Sequence, residues 1–419
     1  MKDNAMPILR NGIRVMRGIS RDLYEFINGK PLMTPPFVGG TLEAEDARRA
    51  QIWLRRREQW YDPDPVVEFE EKFADWNGSK HARAFMGGRV ALSAIIHALG
   101  LGDGDEVLLP GYTCIVVPNA FHYANVDITY ADIELETFGP SVDAFAQKIS
   151  DRTSAILIHH LYGLVCRDYE GLLQLADEND LYVIEDCTHA TGATFRGKKV
   201  GNYGDAAFYS SEHSKCLSTV QGGIATTDDD SIAARLGAYA RSADYPRPRR
   251  LERLLYTLLL DYYEESHPQR WWVKYAYQLL YGNKRLKSTT DAEKKSVRPD
   301  FYGQRMPAPL ASIGVDQLTK LPKYNKIRRE SAAKWDRWSH NHGYETPYVL
   351  EDSQPSWLRY PLLVEPERKK DTSWAVEKLG VEIGDWFRTH LHPVERSVKG
   401  CPNADHAVSC CINLPTILK

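Results

Sequence analysis

No stretch of this 419-residue chain approaches the roughly 20 consecutive apolar residues that a membrane span requires, and Met1-Lys2-Asp3-Asn4 is not followed by the apolar core of a secretory leader. A cytoplasmic protein is the expectation. An excess of one charge is missing too: 53 basic against 56 acidic residues leave a formal net charge of −3, too weak a field to favour nucleic acid. Cysteine is sparse and scattered, at positions 114, 166, 187, 216, 401, 410 and 411, with no Cys-x-x-Cys pair. The odd number and the spacing point to reduced thiols, and neither a disulfide framework nor a metal site is expected. Internal repeats and low-complexity tracts are absent as well.

With 43% hydrophobic residues the chain can bury a large core and is long enough for one large and one smaller domain. Between about residues 65 and 235, apolar runs alternate with helix-like segments, the pattern of a mostly parallel sheet with helices on its faces. The strand candidates are Val107–Pro110, Val126–Tyr130, Ala155–Ile158 and Tyr182–Ile184; Val90–Ile96 and Asp168–Asn179 read as helices. Near Asp244 the composition turns aromatic and basic. There Leu251, Leu254, Leu255, Leu258, Leu259 and Tyr262 recur at helical spacing, and Trp271, Trp272, Tyr275 and Leu279 suggest a second amphipathic helix. A long helix is expected from Gln304 to about His340, then a strand over Leu358–Val364, a helix over Arg368–Leu379 and irregular structure to the end. The expected division is a large α/β domain over 1–243, a helical insertion over 244–300 and a small α+β domain over 301–419.

The chemistry concentrates in two places. Tyr182-Val183-Ile184-Glu185-Asp186 is an apolar strand ending in acid, and Lys215 follows Ser210, Ser211 and Ser214 on a loop closed by Gly222-Gly223. In an open α/β sheet, ligands sit beyond the carboxyl ends of such strands. A buried carboxylate is costly unless a cation pairs with it, and a protonated pyridine nitrogen is such a cation. Asp186 and Lys215 are thus the acid and the amine that a pyridoxal phosphate enzyme needs, one to hold the ring nitrogen protonated and one to form the imine. Taken singly, Asp186 also reads as a helix cap or salt bridge, Lys215 as a solvated surface group, and His189 as a structural histidine. Met86-Gly87-Gly88-Arg89 opens a helix, and N–H groups at a helix N-terminus bind phosphate.

The ordered set Gly104 to Pro110, His160-Leu161-Tyr162-Gly163, Ile184-Glu185-Asp186 with His189, Gly201 to Asp205, and Lys215 to Gly223 resembles the DegT/DnrJ/EryC1/StrS sugar aminotransferases. Gln304-Arg305-Met306, the Ala311–Leu318 helix and Asn413-Leu414-Pro415 match later landmarks, so the resemblance covers nearly the whole chain. It implies a fold-type-I pyridoxal phosphate enzyme with a mostly parallel seven-stranded sheet, a homodimer with shared active sites. By position, Lys215 is the Schiff-base lysine and proton shuttle and Asp186 the ring-nitrogen partner, with His189 beside the phenolic oxygen. Ser210 and the Gly88–Arg89 backbone would hold the phosphate, and Arg305 would reach toward the partner's site. Glutamate would load the amine as pyridoxamine 5'-phosphate, and a keto-sugar nucleotide would receive it.

Three departures stand out. Arg89 replaces the usual Thr, offering a guanidinium to the phosphate in place of a hydroxyl. Cys114 falls where relatives often stack an aromatic on the cofactor ring, so another side chain must cover that face. Gly303 replaces the Asn of Asn-x-Arg-Met. Relatives that deoxygenate sugars replace the lysine with histidine, so the retained Lys215 favours aminotransfer. The insertion reads as a cap over the site mouth or a dimer extension, with peripheral membrane contact as the sharper alternative, weakened by Glu252, Asp261, Glu264 and Glu265. Other readings are a pyridoxal phosphate enzyme acting on a non-sugar carbonyl or amino substrate, and a non-catalytic regulatory relative.

Overall fold

The computed structural model describes residues 40–266 and 288–418, together with residues 12, 15–21, 23–24 and 27 and with Tyr275 and Leu279. Seven strands form the central sheet: β1 (His81–Phe85), β2 (Glu106–Pro110), β3 (Asp127–Ala131), β4 (Thr153–His159), β5 (Tyr182–Asp186), β6 (Ala206–Ser210) and β7 (Gly223–Thr227). Their order is β1-β7-β6-β5-β4-β2-β3. From β6 across to β3 every neighbouring pair is parallel, whereas β7 runs antiparallel to both β6 and β1.

Alternation along the strands divides the core in two. Val107, Leu109, Ala155, Leu157, Ile184, Phe208 and Ala225 join one cluster; Leu108, Ile156, Ile158, Val183, Ala207, Tyr209 and Ile224 join the other. Both faces are covered, which is why these strands read as unbroken apolar runs instead of alternating ones. Helices α1 (Ala44–Arg55), α2 (Asp64–Asn77), α3 (Gly88–Leu99), α4 (Tyr169–Glu178) and α5 (Asp230–Ser242) supply most of that cover. Helix α2 ends where Gly78 adopts φ 81°, a left-handed stop a glycine takes without strain. Helix α5 starts where Asp229 accepts the Ile232 N–H at 2.8 Å.

The leucine stripe of the insertion forms helix α6 (Pro248–Ser266) and packs on α1, with Leu251, Leu254, Leu255 and Leu258 fully buried. That apolar face is therefore spent on protein. The expected Trp271–Leu279 helix lies outside the described residues except at Tyr275 and Leu279. Helix α7 (Ala308–Asn341) starts four residues later than expected, after Pro307, and runs 34 residues along α2 and α1. Two expectations near the C-terminus are corrected. Arg368–Leu379 is not one helix but two short ones, Pro366–Lys370 and Ser373–Leu379, parted at Asp371-Thr372. The last stretch, expected to be irregular, holds helix α8 (Pro402–Cys410) and β9 (Cys411–Leu414), antiparallel to β8 (Tyr360–Leu363). Tyr360, Leu362, Ile412 and Leu414 anchor this pair in a small core of their own.

Candidate active site

Strands β5 and β6 end side by side, with Asp186 opposite Phe208 in register. Asp186 is buried, and its Oδ1 accepts the Thr188 N–H at 2.9 Å. Burial lifts its carboxyl above the ordinary range, opposed by the Thr188 hydrogen bonds and by the charge of Lys215. A carboxylate so placed gains most from a cationic hydrogen-bond donor.

Ser210 closes β6, and the loop to β7 is a tied excursion. Ser211 N–H donates to Gly222 O at 2.9 Å, Thr219 N–H to Ser211 O at 2.8 Å, and His213 N–H to Val220 O at 3.1 Å. Cys216, Leu217 and Val220 plug into the core, so Lys215 projects from a loop fixed at both ends. Burial pushes the Lys215 amine below its ordinary range; Glu212, Asp186 and Cys114 oppose that shift and Arg359 adds to it. Glu212, next to the lysine, is itself held at about 2, because His213, Ser214 and Lys215 outweigh the effect of its burial.

His189 Nδ1 accepts the Tyr162 N–H at 3.2 Å, which leaves the ring proton on Nε2. Burial, aided by the charges of Lys215 and Arg359, keeps the imidazole neutral and hence a donor at Nε2. Its ring lies nearly parallel to the Trp386 indole at 6.1 Å.

The turn into α3 completes the arrangement. A methyl on Gly88 would stand 3.1 Å from Ser210 Cβ and 3.4 Å from Thr188 Cγ2, so the helix start, Ser210 and Thr188 line one recess. A methyl on Gly223 would fall 2.2 Å from the Gly87 carbonyl carbon: the two Gly-Gly turns cross in contact, and Gly223 tolerates no side chain there. At the start of α3 the Val90 and Ala91 N–H groups both donate to Gly87 O at 3.0 Å, which leaves those of Gly88 and Arg89 without an intrahelical acceptor.

Arg89 departs from expectation. Its guanidinium pairs with the fully buried Glu293 and donates to Ser288 O at 2.5 Å, so it is engaged by the insertion's return segment and not held toward a phosphate. Only the Arg89 backbone remains at the recess. Cys114 lies close enough to Lys215 and Arg89 to feel both charges, hydrogen bonds to Thr289, and is joined to the C-terminal region through its pairing with His392; burial raises its thiol. Arg305 is not brought to the lysine within this chain: its N–H donates to Asp244 O and its guanidinium lies 4.0 Å from the Tyr245 ring centre.

Sequence reasoning missed Glu212, Arg359 and Trp386 as neighbours of the lysine. Glu212 was visible three residues before Lys215; the other two come from far downstream, and no local pattern marks them. Among the described residues, His160, Glu185 and Cys187 alone have metal-like spacing. Glu185, however, is filled by the Tyr169 hydroxyl and by the N–H groups of Gly201, Tyr203 and Gly204, which makes the cluster a structural one.

The DegT/DnrJ/EryC1/StrS aminotransferase family matches residues 42–248 and 280–419, leaving out only the heart of the insertion within that span. The chain is similar to GDP-perosamine synthase of Caulobacter vibrioides, 42% identical over 171 residues, which are 41% of this chain and 46% of that one. It thus spans about half the length of that curated relative. Among solved structures it resembles the aminotransferase TlmJ from Streptoalloteichus hindustanus, with TM-score 0.71, 22% identity, and 92% and 94% of the two chains covered. It also resembles E. coli GDP-4-keto-6-deoxy-D-mannose-3-dehydratase with bound hydrated PLP, with TM-score 0.70, 20% identity, and 91% and 95% covered. The chain belongs to the DegT/DnrJ/EryC1/StrS family of aminotransferases.

Proposed function

We propose that this family member uses pyridoxal phosphate to transfer an amino group from L-glutamate to a keto-sugar nucleotide, with Lys215 as the lysine that carries the cofactor. The observation that carries the reading is that Asp186, buried at the end of β5, and Lys215, on the loop leaving the neighbouring β6, come near enough for each charge to act on the other.

The residues present fit the cofactor. The recess at Gly88, which a single methyl would crowd, together with Ser210 and the start of α3, is a phosphate cradle. Asp186, raised by burial, suits a protonated ring nitrogen, and the Nε2–H of His189 suits a phenolic oxygen. When bound, pyridoxal phosphate supplies the electron sink and the carrier of the amino group. Asp186 holds the proton on the ring nitrogen. Lys215 Nζ would take up and return the proton that the exchange moves, and its lowered affinity for protons leaves it more often neutral and able to accept one. Asp186, His189 and Ser210 are all buried at this site. Arg305 would serve the site of a second copy in a homodimer.

The test is a single turnover followed by an acceptor panel. Purified protein reconstituted with cofactor and mixed with L-glutamate should lose its near-visible absorbance and gain that of the pyridoxamine form. Nucleotide-linked 3-keto and 4-keto sugars should then restore it. No response to glutamate or other amino donors would overturn aminotransfer; a response to glutamate with recovery only by non-sugar carbonyls would overturn the sugar acceptor.

A further inference from the structure

Two buried arginines approach Lys215 from the C-terminal half of the chain. Arg359, which precedes β8 and is 3% exposed, donates from Nη1 to Leu358 O at 2.7 Å and from Nη2 to Ser214 O at 3.5 Å. Arg328 on α7, 1% exposed, donates from Nη1 to Asn325 Oδ1 at 2.9 Å and from Nη2 to Cys216 O at 3.4 Å. The carbonyls on either side of Lys215 therefore each face a guanidinium. The two contacts are long, so they steer the loop more than they bind it.

A third element fixes the amine end. The Lys215 Nζ lies 5.8 Å from the centre of the Trp386 indole, and the Arg359 guanidinium carbon lies 5.6 Å from the same centre. The Trp386 backbone is tied on both sides. Its N–H donates to Asn413 Oδ1 at 3.0 Å, and its carbonyl accepts the Tyr162 hydroxyl at 2.6 Å. Phe387 is secured in turn by the Tyr112 hydroxyl, which accepts its N–H at 3.1 Å, and by Lys369 Nζ, which donates to its carbonyl at 3.1 Å.

We propose that Arg359 is a positioning residue for Lys215, set with the amine on one clamped indole so that a fixed guanidinium stands beside the reactive nitrogen. The inference rests on the role of Lys215 given above. Its consequence concerns the proton. The groups facing the amine are Glu212 on its own loop, Asp186 on β5, Cys114, and Arg359. His189 also feels the amine's charge but is itself neutral. Glu212 and Asp186 favour the protonated amine, and the Cys114 thiol, raised by burial, brings no charge at neutral pH. Arg359 is the cation among them, so it opposes protonation and offsets the two carboxylates. Losing it should leave the amine more often charged and less able to accept a proton.

The experiment reads the amine directly in the full chain stripped of cofactor. Pulsed acetic anhydride labels neutral amines, and mass spectrometry of the Lys215 peptide across pH gives the midpoint. With Arg359→Gln or Arg359→Met, the midpoint should rise by about one pH unit, so that labelling at neutral pH slows about tenfold; Arg359→Lys, which keeps the charge, should restore it. Using two neutral replacements guards against one failing to fold, and circular dichroism verifies each. An unmoved midpoint in the folded neutral variants, or an equal rise in Arg359→Lys, would overturn the inference while leaving the role of Lys215 intact. A Lys215 that in the unsubstituted chain labels like an ordinary surface lysine would instead overturn the proposed function on which it rests.

Discussion

Glu185 and Asp186 are neighbours on β5, and the pleat sends them to opposite faces of the sheet, into two pockets of opposite character. Behind the strand, Glu185 receives the Tyr169 hydroxyl, three N–H groups from the 201–204 turn and His160, and this full set of donors overcomes burial and keeps its carboxyl below the ordinary range. In front, Asp186 has the Thr188 N–H and the influence of Lys215, and burial wins, lifting its carboxyl. Burial acts on both; the supply of donors decides the sign. The rear acid is a finished joint that ties the 201–204 turn to the sheet, while the front acid is left with capacity for an incoming partner. Adjacent and alike in the sequence, they differ because one face is closed by protein and the other opens on the lysine.

The sharpest break in that comparison is Lys215→Ala, expected to lower turnover by about a thousandfold or more and to abolish the borohydride-fixed lysine link, as measured by amine transfer and peptide mapping. Activity within tenfold of the unsubstituted protein would remove the front pocket from the chemistry. Next is Asp186→Asn, which should cut turnover by about a hundredfold while cofactor binding, followed by absorbance titration, weakens far less. Glu185→Gln should do the reverse. It leaves the buried donors poorly matched and should cost about 1–3 kcal/mol in denaturant unfolding, with turnover per folded molecule nearly unchanged.

The smallest effect lies in the pH dependence of stability, and there the two acids pull apart. Glu185, with its carboxyl below the ordinary 4.5, contributes stability that is complete above that value and is lost as the pH falls through its lower folded value. Asp186, raised above 3.8, contributes stability that is complete below that value and is lost as the pH rises through its higher folded value. Unfolding of the cofactor-free protein between pH 3 and 6 should therefore show a shallower acid limb for Glu185→Gln and a steeper one for Asp186→Asn. Parallel curves for both variants would mean that the two faces do not differ as described.

Much of the sheet was legible because β2, β4 and β5 are buried on both faces, so each reads as a short apolar run ended by a turn. β1 (His81–Phe85) was not, since Arg83 interrupts the run with a side chain that turns back to Glu70. β8–β9 was half visible: Leu358–Val364 has the apolar pattern, but Cys411-Ile412-Asn413-Leu414 gains its strand character only from pairing with it. Within the pocket, Asp186, His189, Ser210 and Lys215 could be read because each sits at a strand end or on the loop next to one. Arg359 and Trp386 could not, because tertiary pairing and not local spacing brings them in. Arg89 misled for a similar reason. Its partner Glu293 lies within a segment whose composition says only that it is basic and aromatic.

That last pairing constrains how the chain can be shortened. Glu293 also receives the Tyr302 hydroxyl at 3.1 Å and the Thr290 N–H at 2.8 Å, and its own carbonyl is gripped by Asn119 at 2.7 Å. An excision that removed this carboxylate would strand a guanidinium one residue inside the helix that heads the recess. Removing that segment is thus a two-site operation, with Arg89 replaced by a small uncharged residue in the same step.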